Sequence, residues 1–200
     1  MRMFRQALKR GVLFAMPAFV LFLRLFFRAE YLTGRYFVND LRGLIWSFRS
    51  LWARHILRLA PPLPFPASLS SSITNWRNIE FFPEDINNFQ SPGTYFQCSH
   101  AHIRLGKGVF IGPNVGLITS NHSLDDLSQH QEGKDIEIGA QSWIGMNSVI
   151  LPGVILGTKT VVAAGSVVTR SFPNGNCVIA GSPAKVIRDL ELSSSDTLET

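Results

Sequence analysis

From Ile138 onward an aliphatic side chain returns at every sixth position. Ile138-Gly-Ala-Gln-Ser-Trp is followed by Ile144-Gly-Met-Asn-Ser-Val, Ile150-Leu-Pro-Gly-Val-Ile, Leu156-Gly-Thr-Lys-Thr-Val and Val162-Ala-Ala-Gly-Ser-Val, and Val168 opens a further unit. A small or β-branched residue (Ser142, Ser148, Val154, Thr160, Ser166) stands four places after each head. This is the signature of a parallel β-helix, in which each hexad is one short flat strand plus a turn. The heading aliphatic points inward and stacks about 4.8 Å from its counterpart in the next coil. Gly and Asn are expected to permit the turns. Leu105-Gly-Lys-Gly-Val-Phe and Ile111-Gly-Pro-Asn-Val-Gly share the pattern, and Leu117 would head the next unit. From Leu117 to Ile138 the register breaks, so the polar stretch from about Ser120 to Asp135, which contains His122, is expected to leave the coil as a loop. Ile79 to His102 is rougher, and its Ile86, Tyr95 and Ile103 fit one or two imperfect first coils.

The first third reads differently. Val12 to Leu23 is an uncharged run of twelve residues interrupted by Pro17, short of the roughly 20 apolar residues of a spanning helix. Arg24-Leu-Phe-Phe-Arg28 follows, where a cleaved signal would place small residues. Positive charge on both flanks favours both ends staying on the cytoplasmic side. The expectation is an interfacial or re-entrant helix bent at Pro17, with a true span and a buried core helix as alternatives. Phe37 to Leu59 carries apolar residues at helical spacing and predicts a second helix, either packed on its own domain or laid on a membrane by its arginines. Pro61 to Ser72 reads as an extended Pro/Ser linker. The predicted layout is therefore a basic helical region over 1–60, a linker over 61–72, a β-helix over 73–188 and a frayed, Ser-rich tail over 189–200.

Composition sharpens that division. The 200 residues are 46% apolar, enough for a real core and against disorder throughout. The net charge of +5 conceals +9 on residues 1–60 and −4 on the remainder. A basic, Phe-rich segment before a mildly acidic domain points to a membrane surface and argues against nucleic acid as partner. Two cysteines, Cys98 and Cys177, are too few for a disulfide framework or zinc cluster and suit a reducing cytoplasm.

Four stretches carry a resemblance: Asn121-His122, Trp143-Ile144-Gly145, Ala164 to Arg170, and Ala180 to Arg188. Through them, residues 90 to 188 resemble the left-handed β-helix, hexapeptide-repeat acyltransferases, in the branch holding sugar and antibiotic O-acetyltransferases. The resemblance implies a mainly β fold, a left-handed coil, a homotrimer and acetyl-coenzyme A as co-substrate, with the carrier's arm in a slot between neighbouring β-helices. It places the catalytic histidine at His122, beside Asn121. It assigns Trp143, Gly145 and Ala164 to the pantetheine arm, and Thr169, Arg170, Lys185 and Arg188 to the nucleotide end.

Acyl transfer from a thioester to a hydroxyl needs a base, donors for the oxyanion and a groove for the carrier. Histidine suits the base near neutral pH, with its ring held by a nearby Asp or a backbone carbonyl. His100 and His102, two apart, are expected on one strand face, lining the acceptor pocket with Gln97 or lying on the surface. The spacing of histidines 100, 102, 122 and 130 argues against a metal site. Met146 after Trp-Ile-Gly leaves oxyanion stabilisation to the main chain. The activity read from these features is O-acetylation of a sugar hydroxyl, on a membrane-associated or lipid-linked saccharide at the cytoplasmic face of the membrane. The alternatives are N-acetylation of an amino sugar and a non-catalytic membrane-bound scaffold.

Overall fold

A computed structural model describes residues 2–38 and 40–190. The chain divides into two compact units between Leu69 and Ser70.

In the first unit, helix α1 (Arg2–Leu23) runs through Pro17 as one element. Among the described residues no helix is long and apolar enough to cross a membrane. The second helix expected from Phe37 to Leu59 is not continuous. It is built as α2 (Arg35–Val38), α3 (Arg42–Ser50) and six residues of π-helix, Leu51–Ile56. The break has a local cause: Asp40 accepts from the Arg42 N–H at 2.9 Å and the Arg42 Nε at 2.6 Å, a turn-type contact that restarts the helix. Widening to π spacing at Leu51 also splits the apolar stripe. Leu44 and Leu51 are buried while Ile45, Phe48, Trp52 and Ile56 are exposed.

Residues 61–69, expected as a linker, are extended but packed. Leu63, Phe65 and Ala67 are buried, the Arg54 guanidinium donates to the Pro61 and Ser68 carbonyls at 3.1 and 2.6 Å, and the His55 Nε2 lies 3.2 Å from the Leu63 carbonyl. Proline removes N–H donors but leaves carbonyls, and a buried arginine is well suited to collect them.

The described residues of the second unit form fourteen strands: β1 (Ser72–Ile73), β2 (Ile79–Glu80), β3 (Tyr95–Gln97), β4 (Ile103–Leu105), β5 (Phe110–Ile111), β6 (Gly116–Ile118), β7 (Ile136–Ile138), β8 (Trp143–Ile144), β9 (Val149–Ile150), β10 (Ile155–Leu156), β11 (Thr160–Val162), β12 (Val167–Val168), β13 (Cys177–Gly181) and β14 (Ala184–Asp189). They form three sheets in the orders β1-β3-β6-β9-β12, β2-β4-β7-β10 and β5-β8-β11-β13-β14. We call these the A, B and C walls. From β5 to β12 the chain visits C, A and B in turn, which is the path of a three-sided coil. All pairings are parallel except β13–β14, an antiparallel hairpin that the hexad pattern did not predict. The hairpin runs through Asp189, and the Leu190 N–H donates to the Asn176 carbonyl at 2.7 Å. Those two residues of the expected frayed tail are thus paired, and the rest of that tail lies outside the described residues.

The heads stack in register as expected: Phe96, Leu117, Ile150 and Val168 behind wall A, and Ile111, Ile144, Val162 and Ile179 behind wall C. Each such buried side chain contributes about 1.5–3 kcal/mol. The glycine after the head has a different job from the one expected. A Cβ on Gly139 would stand 2.5 Å from the Gly157 carbonyl carbon and the Thr158 nitrogen, and one on Gly145 would stand 2.6 Å from the Ala164 nitrogen. These glycines let successive coils touch. The left-handed backbone of each corner falls two residues later, at Asn114, Gln141, Asn147, Gly153, Lys159 and Gly165. Only small polar residues, glycine and the occasional long side chain take that conformation.

Candidate active site

The walls meet at three corners, and the candidate residues divide between two elements of the coil. The A-to-B corner is where the chain leaves the coil between Ile118 and Ile136. The root of this excursion is closed: the Lys134 N–H donates to the Thr119 carbonyl and the Gln131 N–H to the Asn121 carbonyl, each at 2.8 Å. Gln97, on the neighbouring strand, ties the outgoing limb. Its Oε1 accepts from the N–H groups of Thr119 and Ser120 at 2.9 and 3.1 Å, and its Nε2 donates to the Ser120 Oγ at 2.7 Å. The Gln97 amide thus holds the start of the loop that carries His122.

Inside the loop, His122 and His130 face each other across an antiparallel bridge, with ring centroids 4.3 Å apart. The His122 Nδ1 lies 2.8 Å from the Leu127 carbonyl oxygen. A carbonyl only accepts, so Nδ1 is the donor in this contact, which leaves Nε2 as the ring's other nitrogen. Of the two orienting groups expected from the sequence, the carbonyl is the one used. Asp126 acts one step behind it. Its carboxylate accepts from the Ser128 N–H and Oγ at 2.9 and 2.7 Å and from the Gln129 Nε2 at 2.9 Å, and these bonds, the Ser128 hydroxyl first, hold its pKa below the ordinary carboxylate value. The turn so built aims the Leu127 carbonyl at the ring. From the sequence Asp125 and Asp126 stood out as acids just after His122, but His130 was weighed only as a metal ligand and Leu127 was not singled out, although Asp with Ser two places on is a recognised turn signal.

His100 and His102 do not share a strand. Strand β3 ends at Gln97 and β4 begins at Ile103, so both lie on the same A-to-B corner. The His100 ring centroid is 5.6 Å from that of His130, and the His102 Nδ1 is 3.7 Å from an Asp135 oxygen. Asp135 accepts from the His102 N–H at 2.8 Å and pairs with Arg104 at 2.7 Å, and the His102 bond above all lowers its carboxyl pKa. Among the described residues no group of His, Cys, Asp and Glu could hold a metal ion.

Trp143, Gly145, Ala164, Lys185 and Arg188 lie elsewhere. Trp143 heads an outward row on wall C, continued in register by Val161, Val178 and Arg188, with Phe110 on its other side. Trp143 is 56% exposed and Phe110 47%, so the row is an uncovered apolar band ending in a cation. Gly145 and Ala164 are in contact on the C-to-A corner. Thr169 and Arg170 follow β12 on the A-to-B corner, where Arg170 lies over the Phe172 ring at 5.4 Å. Arg170 also borders a hollow of about 330 Å³ that β14 lines through Val186 and Asp189. One copy of the chain therefore does not bring His122 and Trp143 to a common edge. Cys98 and Cys177 are buried, and burial raises both thiol pKa values, which keeps them from acting as thiolates.

The profile for the bacterial transferase hexapeptide, six repeats, matches residues 135–170. Over these stretches the second unit is similar to proteins of the hexapeptide-repeat acetyltransferase type. The chain is 41% identical over 91 residues to a galactoside O-acetyltransferase of Escherichia coli K12, covering 44% of either chain. To the galactoside O-acetyltransferase of Lactococcus lactis it is 36% identical over 100 residues, covering 48% of each. Among solved structures, a hexapeptide-repeat acetyltransferase of Vibrio cholerae complexed with acetyl-coenzyme A is 36% identical, with 50% of this chain and 55% of that one covered and a TM-score of 0.46. The chain thus spans about half the length of the curated relatives it matches.

Proposed function

We propose that this hexapeptide-repeat protein transfers an acetyl group from acetyl-coenzyme A to a sugar hydroxyl, with His122 as general base. The observation that carries the reading is the 2.8 Å contact between the His122 Nδ1 and the Leu127 carbonyl. It fixes the tautomer in which Nε2 can take a proton from a hydroxyl, and its place on an exposed loop admits a large acceptor. The hydroxyl oxygen attacks the acetyl carbonyl directly as its proton passes to Nε2, main-chain N–H groups stabilise the oxyanion, and collapse of the tetrahedral intermediate breaks the C–S bond and releases coenzyme A, whose thiolate takes the proton back from Nε2. Two galactoside O-acetyltransferases among the relatives support acetyl transfer and the acceptor class. Incubating the purified chain with acetyl-coenzyme A and galactosides should release coenzyme A and yield an O-acetyl sugar by mass spectrometry. Coenzyme A release only with an amino sugar would favour N-acetylation instead.

The assembly read here is a homotrimer with shared sites. Its support is the separation of His122 on one corner from the Trp143 row on wall C, and the exposed apolar character of that row. The A-to-B corner of one copy set against wall C of the next would complete the slot. A mixture of His122→Ala and Trp143→Ala chains, each inactive alone, is then expected to regain about one quarter of the wild-type rate after joint refolding. No regain on mixing would overturn the shared site.

The first unit is assigned to the cytoplasmic face of the membrane, presenting the enzyme to a membrane-borne saccharide. The exposed Phe14, Leu21, Leu25, Trp52 and Ile56 among basic residues support it.

A further inference from the structure

Within the first unit, Met16, Val20 and Leu21 of α1 line an open groove of about 580 Å³ together with Leu32, Phe37 and Val38. Arg24 borders the same groove, one turn beyond Val20, and no acidic residue lines it. The two acids of this unit are already engaged, Glu30 with Arg28 at 3.8 Å and Asp40 with Arg42 at 2.6 Å. Arg24 forms no ion pair among the described residues. On a different stripe of α1 the arrangement recurs: Val12 and Phe19 form a wholly apolar groove with Leu41, Leu44, Ile45 and Phe48, and Arg49 borders it. Among the described residues, each is an apolar trough closed by one cation. A trough with a single uncompensated guanidinium matches an amphiphile with one apolar chain and one anionic head.

We propose that the Arg24 groove seats one acyl chain of an anionic phospholipid, with the Arg24 guanidinium on the lipid phosphate. The inference rests on the membrane assignment above and makes it more specific: the unit holds an individual lipid as well as resting on a surface. Guanidinium pairs with phosphate through two parallel N–H donors, and the chain removes the apolar walls from water.

The full-length chain is purified in a neutral detergent containing phosphatidylglycerol or phosphatidylcholine, washed, and assayed for retained lipid by native mass spectrometry. Phosphatidylglycerol should be retained at one to two copies per chain and phosphatidylcholine at least about 10-fold less, a difference of about 1.4 kcal/mol. Arg24→Glu should abolish retention at this groove. Val38→Trp, placed at a rim position that is 65% exposed and so compatible with folding, should fill the groove and do the same. Flotation of the same proteins on phosphatidylglycerol vesicles separates the two claims. Wild type and Val38→Trp that both float, but retain lipid alike, overturn the seat and leave the membrane assignment standing. Equal retention of the two lipids also overturns the seat. A wild type that neither floats nor retains lipid overturns both.

Discussion

Replacing His122 by Ala is expected to lower kcat by about 10²- to 10⁴-fold while leaving acetyl-coenzyme A binding nearly unchanged. The two effects separate because the imidazole serves the acceptor hydroxyl, whereas the carrier is assigned to the Trp143 row, which the substitution leaves intact. Steady-state kinetics and titration calorimetry on the same preparation check both halves, and near wild-type turnover would remove His122 from the mechanism. Asp126→Ala offers a graded version, because it loosens the turn that aims the Leu127 carbonyl while leaving the ring in place.

Gly139→Ala is expected to destabilise the β-helix unit by about 3 kcal/mol or more, far beyond what one methyl group costs in a core that can adjust. The added Cβ would lie 2.5 Å from two backbone atoms of the next coil, and backbone held by ladder hydrogen bonds on both sides has little room to yield. Gly165→Asn is the matching control. Gly165 has φ +72° and nothing within 4 Å of an added Cβ, and Asn already occupies the equivalent corner position at 114 and 147. That substitution should change stability by no more than about 0.5 kcal/mol. Urea unfolding of both variants decides the matter, and similar midpoints would show that the first glycine is not a contact point.

The contrast between those two glycines shows where sequence reasoning reached and where it stopped. A six-residue period is a strong one-dimensional signal, because inward heads must be aliphatic on every coil, so the wall, the stacking and the loop between Leu117 and Ile138 were all legible. Which of two nearby residues bends the chain and which admits its neighbour is a three-dimensional matter that composition does not encode. The β13–β14 hairpin escaped for a similar reason: Ala180 to Arg188 was read as a motif, whereas its antiparallel register depends on hydrogen bonds between residues in space. In the first unit the apolar spacing from Phe37 to Leu59 pointed to helix, but Asp40 offered the backbone a competing partner that a periodicity count ignores, and the stripe is split among three elements. At the site, the histidine was visible as a residue type in an unusual place. Its orienting carbonyl belongs to Leu127, whose side-chain identity says nothing about where its main chain points.

The closed root of the excursion separates two kinds of change. Elsewhere in the coil, adding or deleting a single residue would shift every later head off its column, so tolerated length changes must come in whole units. Between Thr119 and Asp135 the Gln97 amide and the Thr119–Lys134 bond fix both limbs before the loop begins. The coil therefore does not register how many residues lie beyond that clasp, provided the limbs return to it. The segment carrying His122 can lengthen, shorten or be exchanged while the scaffold keeps its count.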